Sequence, residues 1–313
     1  MEFFTSLRSV VLLMALMIPG YVLQKAKMLG KDAVGTLVIL LMYVALPFLL
    51  FSSFVSKRYD PGFLGDMGIA LALSFVLNVG MYFLARLCFA FMKEGPSKRI
   101  FVSAGYLCNC GFMGFPMVAA FFPGASEPII FVAIFNLAYN ILSWSLGIYS
   151  ITGEKKFISL KNGLLNPAFL AVFIALPFFF FSSGLPGEVM TVVDFLGNMT
   201  SPLSMIIVGI RLGEIRFREL FNTPLAYLST GVKLIAAPLA TFCFLLLWRL
   251  VLPLNSVLFI TLFTVMAMPA GSTVVMFAEM HGGDSQNGAK CTLLSTLLSV
   301  ATIPALMLLS RWI

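Results

Sequence analysis

The sequence predicts an all-α membrane protein of ten transmembrane helices, arranged as two inverted five-helix repeats with helices 4 and 9 broken at mid-membrane. Three observations predict it. The chain is 60% hydrophobic and 11% charged, against about 45 to 50% apolar and about 25% charged in soluble domains, with a mean hydropathy of +1.02. Ten apolar stretches are long enough to cross roughly 30 Å of hydrocarbon at about 1.5 Å per residue. Two of them are interrupted deep inside the span, by Asn109-Cys110-Gly111-Phe112-Met113-Gly114-Phe115-Pro116 and by Met268-Pro269-Ala270-Gly271-Ser272-Thr273.

The stretches fall near residues 5–24, 34–55, 67–92, 100–122, 127–151, 164–183, 188–212, 223–249, 255–280 and 287–310. Span 1 follows Glu2 and Arg8 without a small-x-small cleavage site after Leu23, so it is expected to be a retained span and not a signal peptide. Spans 1, 2, 6 and 7 carry Pro19, Pro47, Pro177 and Pro202; span 3 carries Asn78, span 5 Asn136 and Asn140, span 8 Lys233, and span 10 Ser295 and Ser299. Spans 4 and 9 carry the breaks. Cys88, Cys108, Cys110, Cys243 and Cys291 all fall in or beside spans, which argues against a disulfide framework, and one histidine, His281, argues against a metal centre.

The net charge of +7 is distributed by loop, so it speaks for orientation and not for nucleic-acid binding. The loops after odd-numbered spans, with Arg86 at the end of span 3, hold fourteen basic residues: Lys25, Lys27, Lys31; Arg86, Lys93, Lys98, Arg99; Lys155, Lys156, Lys161; Arg211, Arg216, Arg218; and Lys290. The opposite side holds five: Arg8, Lys57, Arg58, Arg249 and Arg311. A multi-pass protein of the plasma (inner) membrane with both termini extracytoplasmic is expected.

An odd number of spans per half inverts the second copy. Residues 1–151 form the first repeat, 152–163 a cytoplasmic connection and 164–313 the second. Pro19 mirrors Pro177, Pro47 mirrors Pro202 and Asn136 mirrors Ser295, at offsets of 158, 155 and 159 residues. The breaks then occupy corresponding spans, a pattern that in polytopic chains points to a binding site.

Irregular backbone at membrane depth survives only where protein covers it or it lines a polar cavity. A half-helix is expected to start after Gly111 and another after Pro269, and each helix N-terminus offers unpaired amides and roughly half a positive charge. Two such ends facing one cavity make an anion site without basic side chains. The candidate substrate-binding residues are therefore Asn109, Cys110, Gly111, Gly114, Pro116, Asn136, Asn140, Lys233, Pro269, Ala270, Gly271, Ser272 and Thr273. The plainer alternative is a pair of kinked helices packed through small residues. Lys233, near mid-membrane, has two open roles: an ammonium binding carbonyls freed by the break, or a counter-charge for an anion. Asn136 and Asn140 are either helix-helix glue or a polar wall. Only Asp194 and Glu279 among the acids are expected within spans, so no buried carboxylate pair is foreseen. An intramembrane enzyme is disfavoured: one histidine cannot supply His-Glu-x-x-His, and no histidine is expected at the depth of Ser272. A channel or receptor is a third class, separable by saturable counterflow.

The span 4 break, Leu196-Gly197 with Ser201-Pro202-Leu203 and Gly209, Met268-Pro269-Ala270, and the stretch from Ala278 to Asp284 followed by Leu294-Ser295-Thr296-Leu297-Leu298-Ser299 together resemble the auxin efflux carrier family, in order and end to end. The resemblance implies a sodium/proton antiporter-like fold, with helices 1, 2, 6 and 7 as scaffold and 3–5 and 8–10 as a mobile domain. It also implies a homodimer and an organic-anion carrier. Bacterial members are described as malate or malonate permeases and plant members export auxin; the chain lacks the long central loop of many plant members. The expectation is an elevator-type secondary transporter of a small carboxylate, without cofactor; the alternative is a sodium-coupled symporter resembling the bile acid transporters.

Overall fold

The computed structural model describes residues 8, 11–30, 32–164, 167–214 and 222–312. Lys31, Arg216 and Arg218 of the charge count, and Glu2 with the start of the first span, lie outside the described residues. Among the described residues the chain is helical, and each of the ten stretches holds an apolar helix. Six are long enough to cross a membrane: α2 (Ala33–Ser56), α3 (Pro61–Cys88), α6 (Ser126–Thr152), α9 (Gly187–Gly213), α10 (Pro224–Val251) and α13 (Ser285–Ser310). The others are shorter: α1 (Val11–Lys25), α4 (Pro96–Tyr106), α5 (Cys110–Phe121), α7 (Leu160–Leu164), α8 (Pro167–Phe180), α11 (Ser256–Met266) and α12 (Thr273–Met280).

One boundary and one count of acids differ from the sequence expectation. Helix α3 starts at Pro61, six residues before the expected 67, because proline suits a first turn and Asp60 accepts there from the amides of Gly62 and Leu64. Asp66 therefore lies inside α3, and Glu127 and Glu188 sit in the first turns of α6 and α9, so Asp194 and Glu279 are not the only acids within apolar helices. Glu127 and Glu188, at helix N-termini, complement the macrodipole.

Among the described residues four π turns interrupt the helices, at Leu41–Ala45, Cys110–Gly114, Ser143–Gly147 and Val232–Ala236. Three end two residues before a proline, Pro47, Pro116 and Pro238. Proline has no N–H to donate, and its ring collides with the carbonyl four residues back; a widened turn relieves the collision.

The chain divides into two compact units, Met1–Ala70 with Gly111–Ile134 and Leu165–Glu214, and Leu71–Cys110 with Phe135–Leu164 and Ile215–Ile313. Helices α3 and α6 contribute residues to both, and α5 gives its first residue, Cys110, to the second and the rest to the first. In the first unit α1 packs on α9 through Gly20 and Gly209, where an added Cβ would overlap the carbonyls of Ile206 and Met17. Val34, Leu41 and Ala45 of α2 bury against Ile207 and Ile210 of α9. Asp194 accepts from the Ser52 hydroxyl at 2.5 Å, and Lys57 pairs with Glu127 at 2.9 Å.

In the second unit α4 is buried along most of its length. The Ser229 hydroxyl of α10 donates to the Phe101 carbonyl at 2.8 Å, and Ser103 bonds Ser150 of α6 at 2.8 Å. Asp284 caps α13, accepting from the Asn287 amide at 3.2 Å, from its side chain at 2.8 Å and from the Ser97 hydroxyl at 2.9 Å. Burial pushes the Asp284 carboxyl up, but these bonds and the charge of Lys290 outweigh it and hold it below its ordinary value.

Candidate functional site: the crossing of two broken helices

Within the second unit the two breaks meet. After α4 ends at Tyr106, Leu107-Cys108-Asn109 runs extended beside Pro269-Ala270-Gly271, and Cys108 and Ala270 form an antiparallel bridge. The Asn109 amide donates to the Pro269 carbonyl at 2.8 Å, and the Gly271 amide donates to the Leu107 carbonyl at 3.0 Å. Each break thus supplies the partners that the other lacks. That is how non-helical backbone can persist where water is scarce.

The i to i−4 ladder explains the remaining contacts. In a continuous helix the Ala270 amide would donate to the Met266 carbonyl. Here it donates instead to the Ser295 hydroxyl at 3.0 Å, and the released Met266 carbonyl accepts from the Lys233 ammonium at 3.0 Å. Lys233 is fully buried, with 0% exposure. Of its two open roles, the carbonyl role has an acceptor in the structure. Pro269 has no amide, and the Val265 carbonyl that would have faced it accepts from Met268 at 3.2 Å.

With Pro269, Ala270 and Gly271 drawn into this pairing, α12 begins only at Thr273, three residues later than the half-helix expected directly after Pro269. Ser272 stands at its N-cap with an exposed side chain that makes no capping bond. The Thr273 hydroxyl accepts from Tyr139 of α6 at 3.3 Å. A Cβ added at Gly271 would lie 2.8 Å from the Cys108 carbonyl oxygen, so only glycine permits this approach.

Asn136 and Asn140 belong to the same constellation. The Cys110 thiol donates to Asn136 Oδ1 at 3.2 Å, and Asn140 Nδ2 donates to Asn136 O at 2.8 Å and to Oδ1 at 3.1 Å. Asn109 is 8% exposed and Asn136 5% exposed. The structure therefore gathers Asn109, Cys110, Asn136, Asn140, Lys233, Pro269, Ala270, Gly271, Ser272 and Thr273 into one unit.

Gly111, Gly114 and Pro116 belong to the other unit. There the Phe112 carbonyl, released four residues before Pro116, accepts from the Ser204 hydroxyl of α9. A Cβ at Gly111 would meet no atom within 4 Å. Sequence reasoning left Cys108, Tyr139 and Ser295 out of the site. Ser295 was visible as the mirror of Asn136, whereas the pairing of Cys108 with Ala270 is a contact across 162 residues that no local pattern announces.

The model of the family described as membrane transport protein matches residues 5–158 and 151–307. The chain is 26% identical over 312 residues to an uncharacterized transporter of Methanothermobacter thermautotrophicus, covering 97% of this chain and 98% of that one. It is 23% identical over 310 residues to the uncharacterized transporter YfdV of Escherichia coli K12, covering 96% of each, and equally similar to YfdV of Shigella flexneri. From Leu107 to Ser295 the crossing is built of segments that these matches span, and the chain belongs to the membrane transport protein family, that of the auxin efflux carriers.

Proposed function

We propose that the chain is a secondary transporter of small organic anions, carboxylates such as malate or malonate or auxin-like weak acids, bound where the broken helices of spans 4 and 9 cross. The observation that carries this is the reciprocal pairing of Cys108 with Ala270, which holds the α12 N-terminus, with Ser272 exposed beside it, next to Asn109. Amides at such an end, with hydroxyl and amide side chains near, suit a carboxylate.

The inverted ten-helix repeat is supported by matching contacts at matching places. Asn136 of the fifth span bonds Cys110 in the first break, and its mirror Ser295 of the tenth bonds Ala270 in the second. Elevator-type alternating access is supported in part by the division of contacts, which groups α1, α2, α8 and α9 apart from α10 to α13 and the residues of the crossing up to Cys110, while Gly111–Ile134 falls with the former group. Moving one negative charge inward against 100 mV costs about 2.3 kcal/mol, so net uptake needs a co-transported cation whereas export does not.

Counterflow in vesicles tests the reading. Vesicles reconstituted with the chain and loaded with malate should accumulate labelled malate saturably, with competition by malonate and no need of sodium. A strict sodium requirement would favour the symporter alternative, and absence of counterflow for every small carboxylate tried would overturn the site.

Orientation gives a separate expectation. The fourteen-to-five bias of basic residues supports a topology with both termini outside the cytoplasm and Lys155, Lys156 and Lys161 within it. A single cysteine introduced at Lys156 should resist an impermeant thiol reagent in intact cells, and labelling from outside would reverse the topology.

A further inference from the structure

A second polar cluster lies at the other end of α4, away from the crossing by the length of an eleven-residue helix, roughly 16 Å. Tyr82, Arg86, Glu94, Lys98, Arg99 and Ser150 line an open pocket there. Three cations face one carboxylate. Their bonds use only part of their donor capacity: Arg86 donates to the Tyr82 hydroxyl at 2.9 Å, Lys98 to Glu94 at 2.9 Å and to the Met92 carbonyl at 3.0 Å, and Arg99 to the Thr152 carbonyl at 2.7 Å.

A guanidinium carries five donors and an ammonium three, so most of this array remains for an acceptor with several oxygens. The Lys98 side chain is 9% exposed, whereas Glu94, its counter-ion, is 60% exposed and can swing clear of the pocket without burying a charge. Arg86 lies 3.7 Å from the same carboxylate. The first turn of α4 adds the positive end of a helix to the same place.

We propose that this pocket binds a phosphate group, supplied by an anionic lipid headgroup or by free phosphate. Phosphate presents several acceptor oxygens to forked guanidinium donors, and basic pockets between transmembrane helices at the bilayer surface suit lipid headgroups. The surroundings favour the lipid source. Leu87, next to Arg86 in the chain, and Phe91, three residues past the end of α3 and three before Glu94, are 72% and 69% exposed, apolar surface on which acyl chains can lie while the phosphate reaches Arg86 and Arg99. Because α4 joins this pocket to Leu107, Cys108 and Asn109, an occupant here braces the helix that enters the crossing. The inference is independent of which solute is carried.

The test uses the purified full-length chain in neutral detergent, with melting temperature and native mass spectrometry as readouts. Phosphatidylglycerol should raise the melting temperature and remain bound to the chain, phosphatidylcholine should do so much less, and Arg86→Gln should lose about half or more of the gain. Arg86 is the variant of choice because its side chain is 54% exposed, whereas Lys98 and Arg99 also hold backbone carbonyls. Stabilisation by inorganic phosphate, absent with chloride at equal ionic strength and reduced in Arg86→Gln, would support the pocket with free phosphate as its source. Equal gains from both lipids, a full gain in Arg86→Gln, or no response to either phosphate source would overturn the proposal.

Discussion

Gly271→Val is expected to abolish transport and to lower the melting temperature, the largest effect of any single substitution at the crossing. The added Cβ would sit 2.8 Å from the Cys108 carbonyl oxygen and 3.3 Å from the Tyr139 hydroxyl. The nearest obstacle is backbone, so the two breaks must separate. Separation removes the bonds from Asn109 to Pro269 and from Gly271 to Leu107. A buried polar group left without its partner costs about 1 to 3 kcal/mol, and lipid offers no replacement. Gly111→Ala is the control, since nothing stands within 4 Å of its Cβ and folding should be unchanged. Counterflow and melting curves on both variants decide the matter. Wild-type transport and stability in Gly271→Val would show that the approach of the two breaks is dispensable.

Lys233→Met should destabilise the protein by about 1 to 3 kcal/mol, by the same unsatisfied-acceptor cost, whichever carboxylate is present. Methionine keeps the volume of the stem and removes the donor. The Met266 carbonyl, already deprived of the Ala270 amide, then loses the ammonium as well. Lys233→Arg should restore part of the loss because it keeps donors at similar reach. The readout is melting temperature with and without ligand, together with affinity for a mono- and a dicarboxylate. If stability holds while affinity falls in proportion to substrate charge, the ammonium serves the substrate and not the break.

The sequence by itself determined the class of the protein and most of its elements. Apolar stretches of membrane length need no tertiary context to be recognised, because the bilayer demands a local property, the hydropathy of about twenty consecutive residues. The positions of both breaks were equally local: Pro269 cannot donate, and the glycine-rich run from Asn109 to Pro116 is poor at holding a helix in one piece. The start of α3 was misjudged because hydropathy is indifferent to Asp60 and Pro61, which act through hydrogen bonding and a preset dihedral angle.

What only the tertiary structure decided was where the broken backbone finds its partners. The pairing of Cys108 with Ala270, of the Ala270 amide with Ser295, and of the Met266 carbonyl with Lys233 joins residues 25 to 162 positions apart. No periodicity encodes such contacts. The sequence could say that each break leaves amides and carbonyls unsatisfied and that some group must meet them. Which group does so depends on which helices the fold brings within 3 Å, and for Lys233 that contact supplies an acceptor for one of the two roles that residue type and depth left tied.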